Sequence, residues 1–557
     1  PKYLSDTEKK VIKRSLAVLL VALLLLVVNF YWTHTSLTPR NGGNYTEGLV
    51  GAPQYINPVF SWANDVDRDL ITLIFNGLVK QTSSGEYVGD LAENFEVNKE
   101  KTEYTFHLRK NIKWHDGEDF TADDVVFTAS AIVDPDWRSP LIGQLTGVRV
   151  EKIDDHTVQF TFKESLANAL SIMSFGVLPE HLWSSVSGSS ASLNELNKKP
   201  VGTGPFVFDS LSKDKKGNIL SMTLVKNNDY YLQRPYLDKL TFKFYGDVDS
   251  VANALANKNI QGVGTISIVN KDVQTTVAKN KDLVFYSLSL PQYVGVFFNG
   301  KTNEVLKNQQ VRQALAYAID KNAILQASVG DKGVVIDGPV LPGYLGYSNE
   351  TKKYNYDPAA ASELLDKAGW KRQNDGFRKK GETVLSVKLT TNDSPEYQSA
   401  AQNIKDSWQR LGVKVDLVTV NKSRLKQDVI DTRAYEALLF SVISNSSDLT
   451  TAWHSRYMSE RGSALSVLPN RDIDTLLDEA RVATDNEAII RAYTSLQNLF
   501  ADTVPAIFLY NPIRLYPVSD SIKGLTTKRV SMPSDRFIDV QDWYVKTKRK
   551  FSWTNNQ

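Results

Sequence analysis

The chain opens on an apolar run. Residues 16–28 read LAVLLVALLLLVV without a break; Asn29 then interrupts, and Phe30, Tyr31 and Trp32 follow. As a helix, residues 16–32 span roughly 25 Å, the short end of a bilayer crossing. Lys9, Lys10, Lys13 and Arg14 precede the run, and Tyr31 and Trp32 make an interfacial belt after it. The positive-inside bias puts residues 1–15 in the cytoplasm and the rest outside. A cleaved signal peptide needs small residues at A-x-A spacing. Bulky Asn-Phe-Tyr-Trp stands there instead, which favours a retained single-pass anchor with the body on the extracytoplasmic side of the cell membrane. Residues 33–44 are polar, carry Pro39, Gly42 and Gly43, and read as a flexible linker.

Beyond the linker the periodicity mixes. Residues 104–109 and 157–162 alternate like half-buried strands. Thr121, with Asp124 three positions on, predicts a capped helix start. Asp357 followed by Pro358 predicts another, running through Leu364 and Leu365 to a stop near Gly369. Residues 311–325 and 486–500 read as helices, and residues 184–192, rich in Ser and Gly, as a loop. No second apolar run approaches spanning length and no repeat of fixed period is present. Uneven alternation of strands and helices predicts mixed α/β lobes rather than a regular barrel.

Composition narrows the chemistry. The 557 residues are 42% hydrophobic and 23% charged, an ordinary globular balance, and the length implies several lobes. Ten Trp, 24 Tyr and 23 Phe suit cores and clefts alike. With no cysteine, a disulfide framework, a thiol nucleophile, an iron–sulfur cluster, cysteine-ligated zinc and a lipid-modified cysteine are all excluded. Net charge is +2, with +3 in residues 1–15, +4 on Lys546, Lys548, Arg549 and Lys550, and about −5 on the remainder. A mildly acidic body offers no electrostatic basis for nucleic-acid binding. Residues 546–557 read as a basic tail, a frayed, solvated end that could also touch anionic lipid.

Catalytic motifs are scarce. The six histidines, His34, His107, His115, His156, His181 and His454, form no H-E-x-x-H or other local metal spacing, and His115 reads as a turn residue. No G-x-S-x-G elbow occurs. Gly295, Gly300, Lys301 and Thr302 match a P-loop on paper. The intervening Val-Phe-Phe-Asn belongs in a strand, though, and the polar segment that follows does not continue as an apolar helix. No enzyme activity, metal or cofactor is expected.

From residue 55 a series of stretches appears in fixed order. Asn57-Pro58 comes first, then Phe75-Asn-Gly77, then Asp90-Leu-Ala-Glu93-Asn-Phe95. Ile112-Lys-Trp-His115-Asp-Gly117 through Asp124 follows, then Pro179-Glu-His181, Val201-Gly-Thr-Gly204-Pro-Phe206 and Asn227-Asn-Asp229-Tyr-Tyr231. The last are Val311-Arg-Gln-Ala-Leu315, Tyr356-Asp-Pro358 and Ala368-Gly-Trp370. Together, over residues 45–545, they resemble the family 5 extracellular solute-binding proteins of ABC transporters, the oligopeptide, dipeptide and nickel-binding group.

The resemblance implies an α/β fold of the two-lobe periplasmic-binding-protein kind (type II, with an extra domain), preceded by the transmembrane helix. Lobe I would comprise 45–75, 200–288 and 505–545, the extra domain 76–199, and lobe II 289–504. The implied function is an ABC importer's receptor: it binds oligopeptides or peptide-like solutes, closes over them and docks, as a monomer, on a two-subunit permease. A metal chelate, sugar or opine as cargo, or a chaperone or sensor that no longer transports, are the alternatives.

In peptide-binding members the ligand backbone is gripped, and a carboxylate in a Gly-Trp-x-x-Asp-x-x-Asp-Pro stretch meets its α-ammonium. Here Ser441-Val442 replaces Gly-Trp, Asn445 replaces the first Asp, Asp448 is kept and Leu449 replaces Pro. An Asn carbonyl accepts a hydrogen bond but cannot neutralise an ammonium. Three readings stay open: Asp448 or Asp65 takes over, the ligand lacks the amine, or affinity is lower. The other ligand-contact candidates are Asn64, Tyr293, Asn299, Trp453 and Tyr510.

Overall fold

A computed structural model describes residues 5–551 except 61–63, 83–85, 167–168, 265–270, 331, 444–447, 460–461, 484 and 529. The apolar run lies in one helix, Asp6–His34, with Ser5 and Glu8 forming a capping box at its start. None of its residues is buried, and among the described residues it is the helix long and apolar enough to cross a membrane. Its last carbonyls are closed by hydroxyls: Thr33 Oγ1 donates to the Asn29 carbonyl at 2.8 Å and Thr35 Oγ1 to that of Tyr31 at 2.5 Å.

Residues expected as a loose linker form the strand Thr35–Arg40. It pairs antiparallel with Lys546–Phe551, in what was expected to be a frayed tail. Two segments about 510 residues apart in sequence therefore meet in one ribbon, from Thr35 opposite Phe551 to Arg40 opposite Lys546.

The main sheet runs through both lobes. One half carries Lys414–Val420, Ser386–Asn392, Ala437–Ile443 and Gln292–Phe298. The other carries Gly262–Val263, Asn44–Val50, Lys239–Tyr245, Ile219–Lys226 and Phe206–Lys213. The 14-residue strand Ala506–Ser519 joins them. Its first residues pair with Gln292–Phe298 (Phe297 opposite Ala506), and its last pair with Leu283–Ser289 (Leu283 opposite Ser519). Two chain segments, around 290 and around 511, thus cross side by side between the halves. Asn511 ties them, its Nδ2 donating to the carbonyls of Leu290 and Gln292 and its Oδ1 accepting from Ser289 at 3.1 Å. These two adjacent antiparallel crossings form the junction between the halves.

Packing divides along the same line. Lobe II is filled by two clusters, one around Trp408, Leu389 and Ile404, the other around Trp453, Phe508 and Leu496. These reach Tyr510 and so take in the start of the joining strand. Residues 76–199 build a four-stranded sheet ordered Ala92–Val97, Glu103–Leu108, Thr157–Thr161, Arg149–Asp154, backed by Ala122–Val133. Their core is continuous with that of lobe I, Trp114, Phe106 and Trp183 sharing one cluster with Tyr45, Leu224 and Trp543.

Several expected elements form as read. Thr121 caps Ala122–Val133 with Asp124 closing the box, Asp357 caps Pro358–Lys367, and Asp485 caps Asn486–Thr503. The helix expected at 311–325 is two, Gln309–Tyr317 and Lys321–Val329, because the Asp320 side chain accepts from Ala323 N–H and starts a new helix. A one-turn helix, Gly188–Ala191, interrupts the expected loop at 184–192. The first half of the P-loop look-alike, Gly295 to Phe298, lies in the strand Gln292–Phe298, and Lys301 and Thr302 lie in the turn after it, where Asn299 Oδ1 accepts the Lys301 N–H at 3.0 Å.

His115 is a structural staple. Its Nε2 lies 3.1 Å from the Gly204 carbonyl, and its Nδ1 accepts the Gly202 N–H at 3.2 Å. Only a neutral imidazole with the proton on Nε2 satisfies both. Gly202 and Gly204 are glycine because a β-carbon on either would collide with the Ile74 carbonyl region. Burial pulls the His115 pKa down to about 4. Because the folded value lies below the unfolded one near 6.5, the contribution is full above pH 6.5 and is lost as pH falls toward 4. Discounted for its partial exposure, this amounts to about 2 kcal/mol. Urea unfolding of a His115→Gln variant across that window should lack this slope; an unchanged slope would assign it to other groups.

Candidate functional site

Between the two halves lies a cavity of about 1330 Å³, open toward solvent, larger than the 300–1,000 Å³ of common small-molecule sites. Lobe I and residues 76–199 supply Asp65, Arg68, Phe75, Tyr87 and Asp90 to its wall, and Ser531 and Asp535 close it from the chain's far end. Lobe II supplies Ile443, Asp448, Thr450, Arg456 and Tyr457, and the crossing segments supply Pro291, Gln292 and Arg514. Phe75, Phe162, Phe175 and Tyr230 add apolar wall.

Charges on this wall balance: Arg68, Lys80, Lys163, Arg456, Arg481 and Arg514 face Asp65, Glu86, Asp90, Glu164, Asp448 and Asp535. Some are neutralised in place. Asp65 pairs with Arg68, and Lys80 Nζ lies 4.0 Å from Asp90. Arg481 of lobe II reaches Glu164 across the cleft at 3.8 Å. Asp90 also accepts from Asn76 Nδ2 at 2.8 Å and from the Tyr231 hydroxyl at 2.7 Å, and burial raises its pKa. Asp535 accepts the N–H groups of Ser531 and Met532 at 2.7 and 3.0 Å, while burial pushes its carboxyl up to about 6. Arg514 enters no ion pair among the described residues.

Of the ligand contacts expected from sequence, Asp65 and Asp448 stand on the cavity wall. Asp448 uses Oδ1 to accept the Thr450 N–H at 2.8 Å, so it is both a turn residue and a wall residue. Asn64 caps the helix Asp65–Ile74, and its Nδ2 donates to the buried Asp67 at 2.6 Å. Four others lie in the interior, off the wall. Tyr293 (0% exposed) and Trp453 (1%) bond each other at 3.0 Å, Tyr510 is 1% exposed, and Asn299 (0%) donates to the Arg433 carbonyl. Asn445 falls outside the described residues. Arg514, Asp90, Tyr87 and Asp535, also on the wall, carry no sequence signal of a common site because they come from separate segments with no shared spacing. Among the described residues no group of three or more His, Asp or Glu side chains is placed to hold a metal.

Comparison with known proteins adds the lineage. The chain is 27% identical to the oligopeptide-binding protein AppA of Bacillus subtilis over 517 residues, 91% of this chain and 92% of that one. It is 26% identical over 503 residues to the dipeptide-binding protein of Escherichia coli, covering 85% of this chain and 90% of the other. The solved structure of AppA from Bacillus subtilis, in complex with a nonapeptide, superposes with a TM-score of 0.69 over 91% of this chain and all of that one at 26% identity. Residues 86–463 match the middle portion of the bacterial extracellular solute-binding proteins, family 5. With that match spanning more than half the sequence, and with its two-lobed α/β fold and interlobe cavity, the chain belongs to the family 5 bacterial extracellular solute-binding proteins.

Proposed function

We propose that the chain is the extracytoplasmic receptor of an ABC importer, that it takes oligopeptides or peptide-like solutes into the interlobe cavity, and that the helix Asp6–His34 holds it at the membrane. The observation that carries this is the cavity itself: about 1330 Å³, built from both lobes and lined by equal numbers of cationic and acidic side chains. A peptide is a zwitterion with hydrogen-bonding groups along its length. A balanced wall pairs with its two ends without favouring one net charge, and trapped water accommodates varied side chains. Binding then involves no covalent step: lobe closure about the crossings at 290 and 511 is the whole output, read by a permease. Tethering raises the receptor's concentration near that permease without any added contact. The roles of Asp448, Asp65 and Arg514 in gripping the ligand, and the monomeric state, belong to this same reading.

The test is native mass spectrometry of the full chain released from detergent, followed by sequencing of whatever dissociates on unfolding. A mixed ladder of short peptides supports the reading. A single non-peptide species assigns another cargo class, and an empty cleft that stays empty with peptide pools overturns the receptor function.

A further inference from the structure

The ribbon Thr35–Arg40/Lys546–Phe551 begins where the membrane helix ends. Its register sorts side chains onto two faces, since directly opposed residues in an antiparallel pair share a face. Thr547, Arg549 and Phe551 lie with Pro39, Leu37 and Thr35 on one face, which packs on the helix end. Arg549 sits over the Trp32 ring at 3.6 Å and donates to Thr35 Oγ1 at 3.0 Å, and Phe551 meets Tyr31 edge-on at 6.0 Å. The other face carries Lys546, Lys548 and Lys550 with Arg40, all exposed. Among the described residues none of these four enters an ion pair.

We propose that this basic face is a headgroup-binding surface for anionic phospholipid in the leaflet where the helix emerges, so that the receptor is fixed to the membrane by both the helix Asp6–His34 and the strand Lys546–Phe551. The proposal rests on the helix being a retained anchor.

Three observations support a lipid as the occupant. Tyr31 and Trp32, the residues of an interfacial belt, are held against the ribbon, which puts Lys550 at headgroup level. Strand residues advance about 3.4 Å each, so Lys548 stands about 7 Å beyond Lys550, within one Debye length of the surface, and Lys546 about 14 Å beyond it, where the attraction is weaker. Among the described residues no carboxylate pairs with Lys548, Lys550 or Arg40, and Asp238, which acts on Lys546 electrostatically, is itself bonded to Lys226; cations this close on one small ribbon repel one another unless an anion lies among them. Fixing the ribbon in this way also sets the orientation of the body, because Val545 and Tyr544 lead straight from it into the lobe I core around Trp543.

The experiment uses the full chain in nanodiscs of phosphatidylcholine, alone or mixed with phosphatidylglycerol. Retention in the discs after an alkaline wash tests the anchor; a chain that washes off defeats the anchored reading and the proposal with it. For a retained chain, hydrogen exchange of the 546–551 amides should slow by about tenfold or more in anionic discs, and added salt should reverse it. Lys550→Gln should remove about fivefold of that protection, more than Lys546→Gln, and the triple variant with Lys548→Gln all of it. Strand pairing does not depend on these side chains, so exchange in phosphatidylcholine discs should be the same for every variant. Equal exchange of the wild-type ribbon in both disc types overturns the proposal. So does equal slowing by inorganic phosphate in phosphatidylcholine discs, which would make the face a free-phosphate site.

Discussion

Arg536→Met is expected to cost about 3–5 kcal/mol of folding stability, because it strips the counter-charge from two buried carboxylates. Arg536 is 2% exposed, and it bridges Glu47 on the strand Asn44–Val50 and Asp69 on the helix Asp65–Ile74. Its Nη1 and Nη2 donate to the two Asp69 oxygens at 2.7 and 2.6 Å, and Nη2 and Nε to Glu47 Oε1 at 2.7 and 3.1 Å. The hydroxyls of Tyr45 and Tyr516 fill Glu47 Oε2 at 2.8 and 2.7 Å, and the guanidinium lies 4.1 Å over the Phe537 ring. Every donor and acceptor is matched, so loss of one member leaves charges that neither water nor protein can reach. The pH dependence carries the signature. In the variant the orphaned carboxyls bind protons in the folded chain at a pH where the unfolded chain, with carboxyls near 4, has released them. The deficit therefore shrinks as pH falls from about 7 toward 4. Adding Glu47→Gln and Asp69→Asn should recover part of the loss at neutral pH. Urea midpoints at about pH 5 and about pH 7.5 decide it. A loss below about 1 kcal/mol, or one that ignores pH, would mean the cluster is hydrated and stabilises little.

The cluster also shows where sequence reading stops. Each of its members is an unremarkable polar residue in its own segment, and the distance along the chain between Glu47 and Arg536 is 489 residues. Local signals were legible because their physics is local. The alternation of residues 104–109, the Thr121–Asp124 box and the Asp357 cap each need only a few neighbours; the strand forms one residue earlier, at Glu103–Leu108, and both caps form as expected. Thr35–Arg40 has the look of a linker because its partner lies about 510 positions away, and a mostly polar six-residue segment containing Pro39 shows no strand signal without it. The cleft is hard to read from sequence for another reason. Gln292–Phe298 and the first half of Ala506–Ser519 are buried on both faces, so alternation cannot tell which side meets a ligand. Tyr293 and Tyr510 consequently point into the core, while Arg514, beyond the crossing, reaches the cavity.

Asp448→Asn is expected to weaken binding of peptides with a free amino terminus by between about tenfold and a hundredfold, the worth of a charge-assisted hydrogen bond in a closed cleft. Asp448 follows the strand Ala437–Ile443 and stands on the wall with one oxygen committed to the Thr450 N–H, which fixes its direction and leaves Oδ2 for a ligand. Asn in its place keeps an acceptor for that N–H, so the turn survives and only the charge is lost. The discriminating comparison is between a peptide and its N-acetylated form. Wild-type protein should prefer the free amine, and the variant should bind both alike, with affinity for the acetylated peptide nearly unchanged. Asp65 provides the control on the opposite wall, where its pairing with Arg68 already satisfies it; Asp65→Asn should leave the preference intact. If the preference survives in Asp448→Asn and disappears in Asp65→Asn, the ammonium is bound from lobe I. Closure would then bring the ligand across from lobe I, with Arg514, which enters no ion pair among the described residues, left to receive its carboxylate.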